Sequence, residues 1–68
     1  MPIIEMHLMQ GRTVEQKRAV AEAVAEAVTR TLGVKHEQVR LLITEHGFED
    51  FSVGGVTAGM KQEAAQKT

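Results

Sequence analysis

The sequence lacks several features on which common classes of small protein depend. It contains no cysteine, tryptophan or tyrosine and only two phenylalanines. The absence of cysteine excludes disulfides, thiolate zinc sites and cysteine nucleophiles. Charges of both signs are interspersed, with a net charge of −1, and no basic block or long apolar run occurs. Neither nucleic acid nor a membrane is therefore expected as a partner, and without a visible signal peptide we expect a cytoplasmic location.

The short length of the chain predicts that it associates with further copies of itself. A chain of 68 residues buries only about 60% of the surface that its unfolded form exposes. Small domains usually compensate with disulfides, a metal or an oligomeric interface. The histidines, His7, His36 and His46, show no metal-ligand spacing, so we expect no metal site. A homo-oligomer is the remaining solution.

Two strands and one long helix are predicted over the first two thirds of the chain. Residues 3–9 alternate along a strand, and apolar side chains fall on both of its faces. Thr13 followed by Gln16 fits a capping box, so a helix begins there and ends before Gly33, a typical C-cap residue. Residues 39–45 form a second, apolar strand. The apolar face of the helix consists of Val20, Val24, Val28 and Leu32, widened by Ala21, Ala25 and Ala27.

This order of elements predicts an α+β fold built on a β-α-β unit whose two strands are parallel. The glycine-rich segment 46–55 is interpreted as a loop and a short β-hairpin, and 58–68 as a weak terminal helix. We expect one domain over residues 1–68, with its core in 2–60 and a C-terminal tail in 61–68. A two-stranded sheet with one helix leaves a sheet face uncovered, which again favours packing between copies.

Met1-Pro2 is the first candidate for chemistry. An initiator methionine before a small residue such as proline is commonly removed, which would leave Pro2 as a terminal secondary amine. Nearby cations and apolar surroundings lower the pKa of an amine, and a neutral nitrogen can accept a carbon-bound proton. The structural alternative is that Pro2 only begins the strand, where its missing N–H costs nothing.

Two arginines are the second candidate. Arg12 follows the first strand, and Arg40 lies near the start of the second strand among apolar residues. Because the strands are parallel, Arg40 is expected close to Pro2. The N–H donors of a guanidinium can bind a carboxylate or an enolate oxygen through two hydrogen bonds. The alternative interpretation is that both residues are ordinary surface arginines. His7, taken as the only histidine on a strand, is interpreted as an interface residue rather than a catalytic one.

Four features follow one another along the chain. They are a proline at the N-terminus, a Gly-Arg pair before a capping box, an arginine in a strand, and a phenylalanine before Gly-Gly. The residues are Pro2-Ile3, His7-Leu8, Gly11-Arg12, Glu15-Gln16-Lys17, Val39-Arg40, Ile43-Thr44-Glu45, Phe51 and Gly54-Gly55. Their combination and spacing resemble the 4-oxalocrotonate tautomerase family, and no gap interrupts the likeness.

The resemblance implies a tautomerase-type β-α-β fold with a terminal hairpin, assembled most often as a hexamer that is a trimer of dimers. It implies a cofactor-independent isomerase of aromatic compound degradation, acting on a small 2-hydroxydienoate or 2-oxo acid with Pro2 as general base. It further implies that Arg12 binds a substrate carboxylate, that Arg40 stabilises enolate-like charge at the 2-oxo acid end, and that Phe51 lines an apolar wall. In such oligomers the arginines reach the pocket from neighbouring subunits.

The segment before Phe51 departs from the usual family pattern. Glu49 and Asp50 place two acids beside the expected pocket, where they can alter substrate choice. Relatives that hydrate or dehalogenate acrylates use a carboxylate to activate water, and the corresponding position here is Val53. Two alternatives stay open: a related dehalogenase or hydratase, which Val53 disfavours, and a non-catalytic oligomeric module that keeps the scaffold for ligand or partner binding.

Overall fold

A computed structural model describes residues 1–66 and confirms the predicted α+β arrangement, a parallel β-α-β unit followed by a small hairpin and a second helix. The tail residues 67 and 68, which were predicted to be helical, lie outside the described residues. The elements are β1 (Ile3–Met9), α1 (Val14–Leu32), a 3-10 turn (His36–Gln38), β2 (Arg40–His46), β3 (Ser52–Val53), β4 (Val56–Thr57) and α2 (Ala58–Gln66).

Both ends of α1 are stabilised by the residues that the sequence indicates. The Thr13 hydroxyl accepts a hydrogen bond from the Gln16 N–H at 3.1 Å, and the Gln16 side chain accepts one from the Thr13 N–H at 3.0 Å. Gly33 ends the helix in the left-handed conformation at φ 71°. The capping-box and C-cap predictions are therefore confirmed. No helix within residues 1–66 combines the length and apolar character that crossing a membrane requires.

The apolar face of α1 covers the sheet over only part of its length. Val20, Val24 and Val28 are half-buried, but Leu32 is 64% exposed. In an α-helix, two residues that are four positions apart differ in angular position by about 40°. Leu32 therefore lies about 120° around the helix from Val20, so that the predicted stripe has turned away from the sheet by its last member.

The two long strands pair in parallel from Ile3 opposite Arg40 to Met9 opposite His46. The face that carries Ile4, Met6 and Leu8 is half-buried, which places it under α1. The other face is open, and its large apolar side chains include Ile3 at 63% and Leu42 at 53% exposure. Since β2 ends at His46 rather than at residue 45, the prediction that His7 is the only strand histidine is wrong.

Residues 1–66 of the isolated chain do not form a hydrophobic core. No hydrophobic side chain among residues 1–66 is fully buried. The accessible surface of 5355 Å² exceeds the value of about 4,200 Å² expected for a folded monomer of this mass. The radius of gyration is 16.0 Å, against about 11 Å for a compact domain of this length. The fold thus presents apolar faces that a single copy does not cover.

Candidate active site

Pro2 and Arg40 lie side by side at the amino-terminal end of the sheet. The Arg40 N–H donates a hydrogen bond to the Pro2 carbonyl at 3.0 Å, so the predicted proximity is confirmed. The Arg40 guanidinium donates to the carbonyl of Glu37, and a guanidinium has five N–H donors, which leaves others for a ligand. A cavity of about 540 Å³ opens here, lined by Met1, Ile3, Val39, Arg40, Leu41 and Leu42.

Arg12 lies at the opposite end of the sheet. It follows Gly11, whose φ of 114° turns the chain out of β1. Lys17 nearby is neutralised by Glu45 at 3.0 Å, whereas Arg12 has no ion-pair partner within residues 1–66. A cavity of about 200 Å³ beside Arg12 has an apolar floor that includes Met6, Leu8 and Val20. An unneutralised guanidinium above an apolar floor is suited to the carboxylate of an organic acid.

Phe51 belongs to the same end of the sheet as Arg12. Its side chain is 51% exposed and lines a cavity of about 460 Å³ together with His7, Leu8, Met9 and His46. Its carbonyl accepts a hydrogen bond from the Ala58 N–H at 2.9 Å, which ties the loop to the start of α2. The aromatic ring therefore forms one wall of an open apolar pocket on a restrained loop.

The four predicted site residues are divided between the two ends of the sheet in one chain. Pro2 with Arg40, and Arg12 with Phe51, occupy opposite ends of β1 and β2. The intervening seven-residue strand β1 separates these ends by about 23 Å, at about 3.3 Å per residue. A small substrate cannot contact both pairs within a single copy.

The two acids before Phe51 are engaged in local structure. The Gly47 N–H donates to the Asp50 carboxylate at 3.2 Å, and the Asp50 N–H donates to the Gly47 carbonyl at 2.9 Å. The Glu49 carboxylate lies against Gly59, in the space that a Cβ would occupy. Val53, on β3, is 69% exposed and provides no carboxylate. Neither these two acids nor Val53 lines the cavity beside Phe51.

Sequence reasoning missed a pair of histidines. The Nδ1 atom of His7 lies 2.8 Å from the Nε2 atom of His46. Strand alternation could have revealed this pair, because the parallel register places His7 and the last residue of β2 on the same face of the sheet. Within residues 1–66 no cluster of three His, Cys, Asp or Glu side chains is arranged to hold a metal ion.

The family described as tautomerase enzyme matches residues 2–61 of this chain. A 2-hydroxymuconate tautomerase of Pseudomonas sp. (strain CF600) is 41% identical over 58 residues, which cover 85% of this chain and 92% of that protein.

Solved structures of related proteins share the fold. A 4-oxalocrotonate tautomerase isozyme from Methylibium petroleiphilum is 60% identical, with a TM-score of 0.89 over 93% of this chain and 98% of its own. A heterohexameric 4-oxalocrotonate tautomerase from Chloroflexus aurantiacus is 30% identical, with a TM-score of 0.81 over 87% and 95% of the two chains. The chain therefore belongs to the tautomerase family, and it is an isomerase of the 4-oxalocrotonate tautomerase type.

Proposed function

We propose that the protein is a cofactor-independent keto–enol tautomerase of 2-hydroxydienoates or related 2-oxo acids, with Pro2 as its general base. The similarity to 2-hydroxymuconate tautomerases supports the substrate class. The carbon skeleton of 2-hydroxymuconate is that of an opened benzene ring, so we assign the protein to the degradation of aromatic compounds in the cytoplasm.

The proposed base requires removal of Met1, because a nitrogen within a peptide bond has no basic lone pair. The free Pro2 nitrogen takes a proton from the enol, or from the carbon next to the carbonyl. It then returns the proton to a different carbon of the conjugated system, which yields the conjugated ketone. A nearby arginine cation favours the neutral amine, and the Arg40 guanidinium stabilises the enolate-like oxygen during transfer.

The observation that carries the proposal is the separation of Pro2 and Arg40 from Arg12 and Phe51 by about 23 Å in one chain. A second copy that places its Arg12 and Phe51 opposite Pro2 would complete a pocket with a base, a carboxylate-binding cation and an apolar wall. The open sheet face and the absence of a buried core within residues 1–66 support such assembly. We propose a homo-oligomer, specifically a hexamer built as a trimer of dimers.

The direct test is ultraviolet-monitored ketonisation of 2-hydroxymuconate by protein whose intact mass shows that Met1 is absent. We expect rapid turnover by this form and none by a matched preparation that retains Met1. Equal turnover by both forms would exclude Pro2 as the base. No turnover by the processed form would favour the non-catalytic module, because Glu49 and Asp50 do not line the cavity beside Phe51 and Val53 has no carboxylate to activate water for a hydratase.

A further inference from the structure

The contact between His7 and His46 is an edge-to-edge hydrogen bond. The two nitrogens are 2.8 Å apart, the ring centroids are 5.0 Å apart, and the ring planes differ by 25°. A ring nitrogen lies about 1.1 Å from the imidazole centre, so these two distances agree only when the N···N line passes close to both ring centres. The rings are therefore nearly coplanar and nearly collinear, with one nitrogen donating directly to the lone pair of the other.

This geometry limits how many protons the pair holds. One proton lies between the facing nitrogens, Nδ1 of His7 and Nε2 of His46. A neutral pair then presents one N–H and one lone pair at its two outer nitrogens, whichever ring donates. A pair that takes up one further proton presents an N–H at both outer nitrogens and keeps its internal hydrogen bond, now charge-assisted. Only a second additional proton would break the contact.

Neither histidine of the pair is in contact with a carboxylate among the residues that the structure describes. On the same sheet face, β1 also carries Glu5, and β2 carries Arg40 at its far end. Glu45 lies on the other face with Lys17. In the adjoining loop Asp50 accepts a hydrogen bond from the Gly47 N–H, and the Glu49 carboxylate lies against Gly59. An anion from outside the chain is thus the natural partner of the added charge.

We propose that the His7–His46 pair is an anion subsite of the Phe51 cavity, which binds a substrate carboxylate and takes up one proton as it does so. Both histidines and Phe51 line the same cavity of about 460 Å³. The proton comes from solvent, and the carboxylate accepts a hydrogen bond from an outer imidazole N–H. The identity of the ligand as an organic acid rests on the proposed function; the proton-linked binding rests on the pair itself.

Isothermal titration calorimetry with cis,cis-muconate, an unreactive dicarboxylate, tests the subsite. Met1-free protein is titrated at the same pH in two buffers of different ionisation enthalpy, so that the difference in heat reports protons taken up on binding. We expect measurable uptake of at most one proton per site, because the pair can accept one further proton and still keep its hydrogen bond. An absence of proton uptake by the parent protein would overturn the proposal.

Substitutions at His7 and His46 test whether this pair binds the proton that is taken up with the ligand. His46→Gln and His7→Gln are each expected to weaken muconate binding about tenfold, as loss of a charged hydrogen bond does, and to abolish most of the uptake. His36→Gln is the matched control, because His36 lies in the 3-10 turn away from the cavity and should leave both quantities unchanged. Uptake that persists in both pair variants would contradict the assignment. If either variant fails to fold, the imidazole ¹⁵N resonances of the parent give the same answer: they must shift for His7 and His46 on muconate addition.

The outcomes separate this inference from the proposed function. Pro2-dependent turnover of 2-hydroxymuconate, with unaltered proton uptake in the pair variants, would overturn the subsite alone. Proton-linked muconate binding that requires His46, without any turnover by Met1-free protein, would support the subsite and overturn the tautomerase substrate assignment.

Discussion

The N–H of Arg40 donates a hydrogen bond to the carbonyl of Pro2 at 3.0 Å, at the start of the parallel sheet, where Arg40 is paired with Ile3. This bond positions the backbone of the proposed base against the strand that carries a cation. Because the contact is between main-chain atoms, substitution of either side chain leaves it possible. Side-chain variants at these positions therefore report on chemistry more than on folding.

Replacing the ring nitrogen tests the general base. Pro2→Ala is expected to lower kcat for 2-hydroxymuconate by about 10²-fold or more, because a primary amine replaces a secondary amine held by its ring. Alanine is also small enough to permit removal of Met1, which intact mass verifies. Near-normal turnover by processed Pro2→Ala would show that another group moves the proton.

Substitutions of the two arginines are expected to change different kinetic constants. Arg12→Ala should raise KM for a dicarboxylate about tenfold with little change in kcat, because it removes a carboxylate contact at the pocket's apolar end. Arg40→Ala should lower kcat about 10²-fold, since it removes a donor from the developing enolate oxygen. Steady-state kinetics on 2-hydroxymuconate distinguishes these effects, and parent-like constants in both variants would refute the assigned roles.

Mixed assemblies test whether two copies share one site. Pro2→Ala and Arg12→Ala chains are unfolded together, refolded as one population and assayed at a substrate concentration well below KM, where each variant is poorly active alone. Random mixing should restore about one quarter of the sites, those that combine an intact Pro2 from one chain with an intact Arg12 from the other. The control is a mixture of the two variants refolded separately. If co-refolding restores nothing beyond that control, each site draws both residues from one chain.

The caps of α1 are predicted to contribute measurably to stability. Thr13→Ala removes the side-chain acceptor of the capping box and should cost about 1 kcal/mol. Gly33→Ala forces a Cβ into the left-handed conformation and should cost about 1–2 kcal/mol. Chemical denaturation at one fixed protein concentration measures both, because association shifts the apparent stability. Gly33→Asn is the milder comparison, since asparagine tolerates this conformation better.

The open face of the sheet is predicted to be an interface between copies. Leu42 is 53% exposed in one copy and would be covered by another copy in the assembly. Leu42→Asp would bury a charge in this interface, so it should shift the protein towards smaller species and abolish activity. Ala23→Asp introduces the same charge at an exposed position of α1 and should leave the assembly intact. Sedimentation velocity measures both, and a folded, active monomer of the parent would contradict the interface.

Much of the fold follows from local patterns. Thr13 and Gln16 satisfy each other's backbone donors over three residues, and Gly33 ends the helix because it alone adopts the required conformation cheaply. A long helix between two apolar strands leaves parallel pairing as the natural solution, which also predicts that Pro2 lies beside Arg40. These features depend on neighbours in sequence or on the order of elements, so the sequence by itself determined them.

The tertiary structure decided what depends on exact register and on the ends of elements. Extension of β2 to His46 places that imidazole against His7, although the two residues are 39 positions apart. The turn 47–50 engages Asp50 with Gly47, which a pattern of residue types does not reveal. The length of β1 separates Arg12 from Pro2, so one chain holds only half of the proposed pocket. Side-chain periodicity assigns a residue to a face, whereas register and strand length determine which residues on that face meet.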